Sequence, residues 1–186
     1  FGSFRFDRTL IACYDSDRGD HFRPHRDNTT PATAGRRFAL TLNLNSDEWD
    51  GTRDREGWRA KGVLVGQRIG GELIGATMSE VEPGSRLWPY HTHYLNEEWV
   101  IVLRGEPTLR TPEGEQVLKE GDAVCFPRGK DGAHQIINRT DSAIRVLMLS
   151  SMIRGEIIEY LDTGQVLAKG VDDEDVRVRH LVDIAF

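Results

Sequence analysis

HTHYLNEEWVIVLRG, residues 91–105, sets how the rest of the chain reads. His91 and His93 stand two apart, so on a β-strand both side chains leave the same face. Glu98 heads the run WVIVL, which alternates and is rich in β-branched residues, the pattern of a half-buried strand. Two imidazoles and a carboxylate aimed into one cavity form three legs of a metal site. The candidate for a fourth is His134, in GDAVCFPRGKDGAHQIIN, residues 121–138. Three neutral imidazoles and one carboxylate suit a divalent transition metal such as iron, manganese, zinc, nickel or copper, with positions open for water or substrate.

Outward from this stretch, short strand-like runs recur at regular intervals with glycine turns between them. They are GVLVGQ and ELIGATMSEV before it, then TLRT, EQVLKE, DAVCFP, HQIIN, IRVLMLSSM and EIIEYL after it. PEGE, residues 112–115, reads as a hairpin joining two of them. Many short strands with turn signals between them predict an all-β sandwich or barrel, closed so that its edges are protected. The segment SDEWDGTRDREGW, residues 46–58, has no period and reads as a surface connector or short helical turn. The tail VDDEDVRVRHLVDIAF is charged and then partly alternating, a final strand or a docked extension.

Residues 84–105 follow G-x5-H-x-H-x4-E-x6-G through Gly84, His91, His93, Glu98 and Gly105. Residues 121–138 follow G-x5-P-x-G-x4-H-x3-N through Gly121, Pro127, Gly129, His134 and Asn138. In tandem these resemble the two signature motifs of the cupin superfamily, the second with two extra residues between its glycine and its histidine. The likeness covers about residues 52–165 and is nearest to small single-domain bacterial cupins. It implies a double-stranded β-helix, or jelly-roll barrel, with His91, His93, Glu98 and His134 as metal ligands. The spacing to Gly105 favours Glu98 over Glu97 as the acidic ligand, and Glu97 should then point to the opposite face. Asn138 suits a turn or a supporting role better than ligation.

The N-terminal part has a different character. YDSDRGDHFRPHRDN, residues 14–28, followed by RRFALTLNLN, residues 36–45, resembles the core of prolyl-hydroxylase-type oxygenases that use 2-oxoglutarate and iron(II). The resemblance implies an iron site at His25 and Asp27, and it stops near residue 50, before the distal histidine and basic residue such enzymes need. His134 with Arg145 could imitate that pair, though at too long a separation. Residues 1–45 therefore read as an oxygenase-like fragment or extension, 46–170 as the cupin barrel and 171–186 as a C-terminal tail. The extension should contribute a strand, since RRFALTLNLN alone cannot satisfy its backbone or bury its apolar face. It adds to the barrel edge or pairs with another subunit, and a homodimer is the expected assembly.

Composition narrows the function classes. A net charge of −6 argues against a general nucleic-acid surface. No apolar run approaches the roughly 20 residues of a membrane span. Cys13 and Cys125 form neither a CxxC nor a zinc-ribbon pattern, so they read as reduced cysteines of a cytoplasmic protein. The expected function is a metal-dependent enzyme acting on a small molecule, of dioxygenase or isomerase type. A non-catalytic cupin that holds metal or a small ligand, and a hydroxylase built on His25 and Asp27, are the alternatives.

Overall fold

The computed structural model describes residues 48–170 and the backbone of 175–178. The expected N-terminal strand, with His25 and Asp27, lies outside the described residues.

The described chain is all-β and follows the jelly-roll plan. Its strands in order are β1 (Gly51–Arg53), β2 (Ala60–Val63), β3 (Gly75–Val81), β4 (His91–His93), β5 (Glu98–Arg104), β6 (Thr108–Thr111) and β7 (Gly114–Val117). They continue with β8 (Ala123–Phe126), β9 (Gln135–Ile137), β10 (Ile144–Ser150), β11 (Ile157–Tyr160), β12 (Gln165–Lys169) and β13 (Asp175–Val178). One layer is a six-stranded sheet in the order β1-β2-β3-β10-β5-β8. The other consists of a four-stranded sheet, β13-β12-β11-β4, and a three-stranded sheet, β7-β6-β9. An isolated antiparallel bridge between His91 and His134 joins these two.

Alternation decides what each strand buries. On β5, Val100 and Val102 face inward, and Glu98 shares their face one pleat further back. On β10, Ile144, Val146 and Met148 do the same. These residues meet Leu109, Phe126 and Ile136 from other strands in one continuous core. Each such side chain contributes about 1.5–3 kcal/mol of burial. The opposite face of the six-stranded sheet carries a smaller cluster of Val63, Val65 and Met78, with Trp49, Leu103 and Leu147 packed against it.

Two local expectations are corrected. GVLVGQ is not one strand: β2 ends at Val63, and Val65–Arg68 form a single helical turn, α1. The Leu64 amide donates to Asp50 Oδ2 at 2.7 Å, and Gly66 lies so close to the Ala76 backbone that a Cβ would meet its nitrogen at 2.8 Å. The supposed connector 46–58 contains β1, which pairs with β2 from Gly51↔Gly62 to Arg53↔Ala60. Among the described residues β1 is the outermost strand of its sheet, and its exposed residues carry no alternation. QVLAK, not singled out in the sequence, forms β12. Part of the tail, β13, pairs with it.

Candidate metal centre

His91 and His93 come from the three-residue strand β4, and Glu98 opens β5 after the loop 94–97. His134 stands just ahead of β9. The loop before His134 is unusual: a 3-10 turn over Lys130–Gly132 takes up the two extra residues of the second motif. Gly132 passes so near Pro127 that a Cβ would lie 1.6 Å from its carbonyl oxygen, so no other residue fits there without moving the loop. Gly129 donates its amide to His93 O at 2.7 Å and accepts from Thr92 Oγ1, tying this loop to β4.

Three of the expected ligands converge. Ligand atoms of His91, Glu98 and His134 all lie within 4.8 Å of one another. The ring orientations are set from behind: His91 Nδ1 lies 2.7 Å from Pro89 O, and His134 Nδ1 lies 2.9 Å from Gly132 O. A carbonyl accepts only from a protonated nitrogen, so both rings carry their proton on Nδ1 and turn an Nε2 lone pair into the site. His134 Nε2 is buried, has no hydrogen-bond partner, and faces Glu98 Oε2 at 3.3 Å. Two electron-rich atoms held that close in a buried site call for a cation shared between them. The donor set therefore fits a divalent transition metal. Phe126 backs the arrangement, stacked on the His134 ring with centroids 3.8 Å apart.

His93 is placed differently. It stands beside the group, with Nε2 3.3 Å from Glu98 Oε2 and Nδ1 3.5 Å from Glu156 Oε2. Nδ1 makes no hydrogen bond of good geometry, so the Glu156 contact is an ion pair. Burial works against a proton on His93, but the two carboxylates outweigh it and raise the imidazolium to about 9. His91 goes the other way: burial, then its histidine neighbours, lower it to about 4, leaving a neutral ligand at neutral pH. Burial would raise the Glu98 carboxyl, yet the His93 imidazolium beside it holds it below the usual carboxylate range.

Glu156 is the functional residue that sequence reading missed. Its Oε1 accepts from the amides of Tyr94 at 3.2 Å, Leu95 at 3.1 Å and Ile157 at 2.8 Å. Its Oε2 accepts from the Asn96 amide at 2.9 Å and from the Asn96 side chain. This buried carboxylate thus pins the loop between His93 and Glu98 while facing the His93 ring. Burial opposes its charge, but His93 and these N–H donors bring its pKa down to about 2. Its one sequence signal was an acidic residue just ahead of an apolar strand, which is indistinguishable from a solvated turn.

Several nearby residues have other roles. Glu97 lies on the opposite face and accepts from Trp99 Nε1 at 2.8 Å. Asn138, fully buried, donates to Val81 O and Ser142 O and accepts from Thr140, so it holds a turn. Arg145 is buried against Glu80 at 2.7 Å and stacks over Trp49, away from His134. Arg110 covers the Tyr90 ring and pairs with Asp162 through two 2.8 Å bonds. Cys125 is free and exposed. Among the described residues no helix is long and apolar enough to cross a membrane.

The cluster opens into a cavity of about 590 Å³. Trp88, Met148, Ile158, Tyr160 and Leu167 form much of its wall, and Arg154 and Lys169 stand at its rim.

Comparison with known proteins agrees with the fold. Residues 77–150 match the family model described as the cupin domain. The structure resembles a sugar phosphate isomerase from the cupin superfamily of Silicibacter pomeroyi DSS-3, with TM-score 0.67 and 24% identity, covering 77% of this chain and 98% of that one. A provisionally assigned sugar phosphate isomerase from Acidithiobacillus ferrooxidans aligns with TM-score 0.64 and 26% identity, over 70% of this chain and 81% of its own. A polyketide cyclase from Streptomyces resistomycificus follows at TM-score 0.51 and 20% identity, over 61% and 79%. No curated protein matches the sequence. The likeness to 2-oxoglutarate oxygenases has no counterpart among these findings.

Proposed function

We propose that this cupin barrel is a metal-dependent enzyme of isomerase type, acting on a small oxygen-rich molecule bound in the 590 Å³ cavity. The observation that carries the reading is the lone pair of His134 Nε2, buried without a partner and set 3.3 Å from the Glu98 carboxylate. His91, Glu98 and His134 hold a divalent transition metal, and His93 completes the set from beside Glu98. Such an ion, when bound, polarises a carbonyl or hydroxyl oxygen as a Lewis acid. The protein's own part is to present the His91 and His134 nitrogens unprotonated, to orient the substrate against the apolar wall, and to exclude bulk water. Isomerisation is preferred to dioxygenation because the Acidithiobacillus protein, at 26% identity, is provisionally a sugar phosphate isomerase.

The test is elemental analysis of protein purified without added metal. It is coupled to proton NMR of aldose–ketose interconversion in deuterated buffer. Near one metal per chain and metal-dependent exchange of a substrate C–H for deuterium are expected. Near-zero metal, unchanged by His91→Ala with His134→Ala, would overturn the metal reading. Oxygen consumption in place of exchange would move the reaction to the dioxygenase class.

A further inference from the structure

The cavity is electrically lopsided. Its inner end holds Glu98 and the histidines, whereas Lys169 and Arg154 stand at its mouth. Both carboxylates in the lining are committed. Glu98 faces His93 and His134, and Glu156 is occupied by four backbone amides, Asn96 and His93. Among the described residues Lys169 makes no ion pair and no side-chain hydrogen bond, although its backbone is tied to Glu156 O at 2.7 Å and registers with Asp175 of β13. In a chain of net charge −6, a lysine and an arginine at the mouth of one pocket are a local feature and not a general basic surface.

Register gives the reach. His93 pairs with Ile158 and Ile158 with Leu167, so these three lie level across β4, β11 and β12. Lys169 is two residues beyond Leu167 and on the same face of the sheet. Two strand spacings and one pleat repeat put its Cα about 12 Å from that of His93. A lysine stem spans about 6 Å of this, so the gap to the metal end is on the order of four to six bonded carbons. Ile158 and Leu167 pave that gap with hydrocarbon.

We infer that the substrate is a small organic anion, with oxygen donors for the metal at one end and a phosphate monoester or carboxylate held by Lys169 and Arg154 at the other. This rests on the metal-centred reading for the first end only. Lys169 and Arg154 are specificity-determining residues: they select and orient by charge and touch no reacting atom.

Calorimetric titration of the full chain, loaded with manganese, separates the possibilities. The probes are ribose 5-phosphate for the phosphate arm, glucuronate for the carboxylate arm, and ribose and glucose as neutral controls. At least one anionic sugar should bind tenfold or more tightly than its neutral counterpart, with a preference that weakens in high salt. Lys169→Gln with Arg154→Gln should abolish the preference while metal content stays unchanged, and Lys169→Arg alone should keep it. Equal binding of neutral and anionic sugars, a preference that survives the double substitution, or binding of none of the four would overturn the inference. Metal content is read separately, so a charge preference in protein that holds no metal would sink the proposed function and leave the anion site standing.

Discussion

Glu98 Oε2 lies 3.3 Å from His134 Nε2, a nitrogen whose ring donates its Nδ1 proton in a hydrogen bond to Gly132 O on the far side. The contact is unfavourable until a cation enters, which makes it the most sensitive point in the site. His134→Ala should reduce bound metal to below about a tenth of the wild-type stoichiometry, since the loss of a direct ligand exceeds the 10- to 100-fold cost of losing a supporting contact. Elemental analysis checks this. Chelation of the wild type should also lower Tm, because a metal at 100 times its Kd stabilises by about 2.7 kcal/mol.

Glu156→Gln should act on both stability and metal affinity. The amide keeps one oxygen for the Tyr94, Leu95 and Ile157 amides but turns an NH2 toward the Asn96 N–H. Hydrogen bonds to a charged acceptor are worth about 1.5–3 kcal/mol each, so a loss of about 3 kcal/mol in urea unfolding is expected. Metal affinity should fall because His93 and Glu98 flank the freed loop. Wild-type affinity in the variant would show that the loop is held by other means.

Gly132→Ala tests the loop that carries His134. Its Cβ would collide with Pro127 O, and backbone cannot step aside as a side-chain tip can. Overpacking of this kind costs about 3 kcal/mol or more, and the loop must move. Metal content should drop while far-UV circular dichroism keeps its β signature. Gly57→Ala, at an open turn with φ of 75°, should lower Tm modestly and leave metal content intact.

The metal-free protein should be most stable near pH 6.5. The His93 pKa rises from its ordinary 6.5 to about 9 on folding, so its contribution is full below 6.5 and is lost as pH rises through 9. That of His91 falls to about 4, so its contribution is present above 6.5 and is lost as pH falls through 4. Glu156 adds a further loss between 4.5 and about 2. A pH series of Tm should show both limbs, and His93→Asn should flatten the alkaline one and weaken the acid one, since His93 also lowers His91 and Glu156.

What was legible in the sequence follows from how its signals are stored. Strands β5 and β10 announce themselves because burying one face forces alternation, and the order His91, His93, Glu98, His134 is visible because the two motifs are local. Strand β1 was not legible: three charged or small residues carry no period when neither face is buried. Helix α1 was hidden because VLVG reads equally as strand, and Asp50, 14 residues before Leu64, decides the matter. Glu156 was invisible for a stronger reason. Its partners lie about 60 residues earlier, and only the pairing of β11 with β4 brings them together.

The join between the four-stranded and three-stranded sheets carries a kinetic consequence. His91 and His134 exchange both backbone hydrogen bonds, at 3.2 and 2.9 Å, in the bridge that connects those sheets. The two backbones cannot part without breaking these rungs, so the spacing of the two rings is fixed from behind while the site they share opens to the cavity. An ion bound between the rings should therefore slow opening of the seam, and hydrogen–deuterium exchange at the His91 and His134 amides should show the longer lifetime in loaded protein.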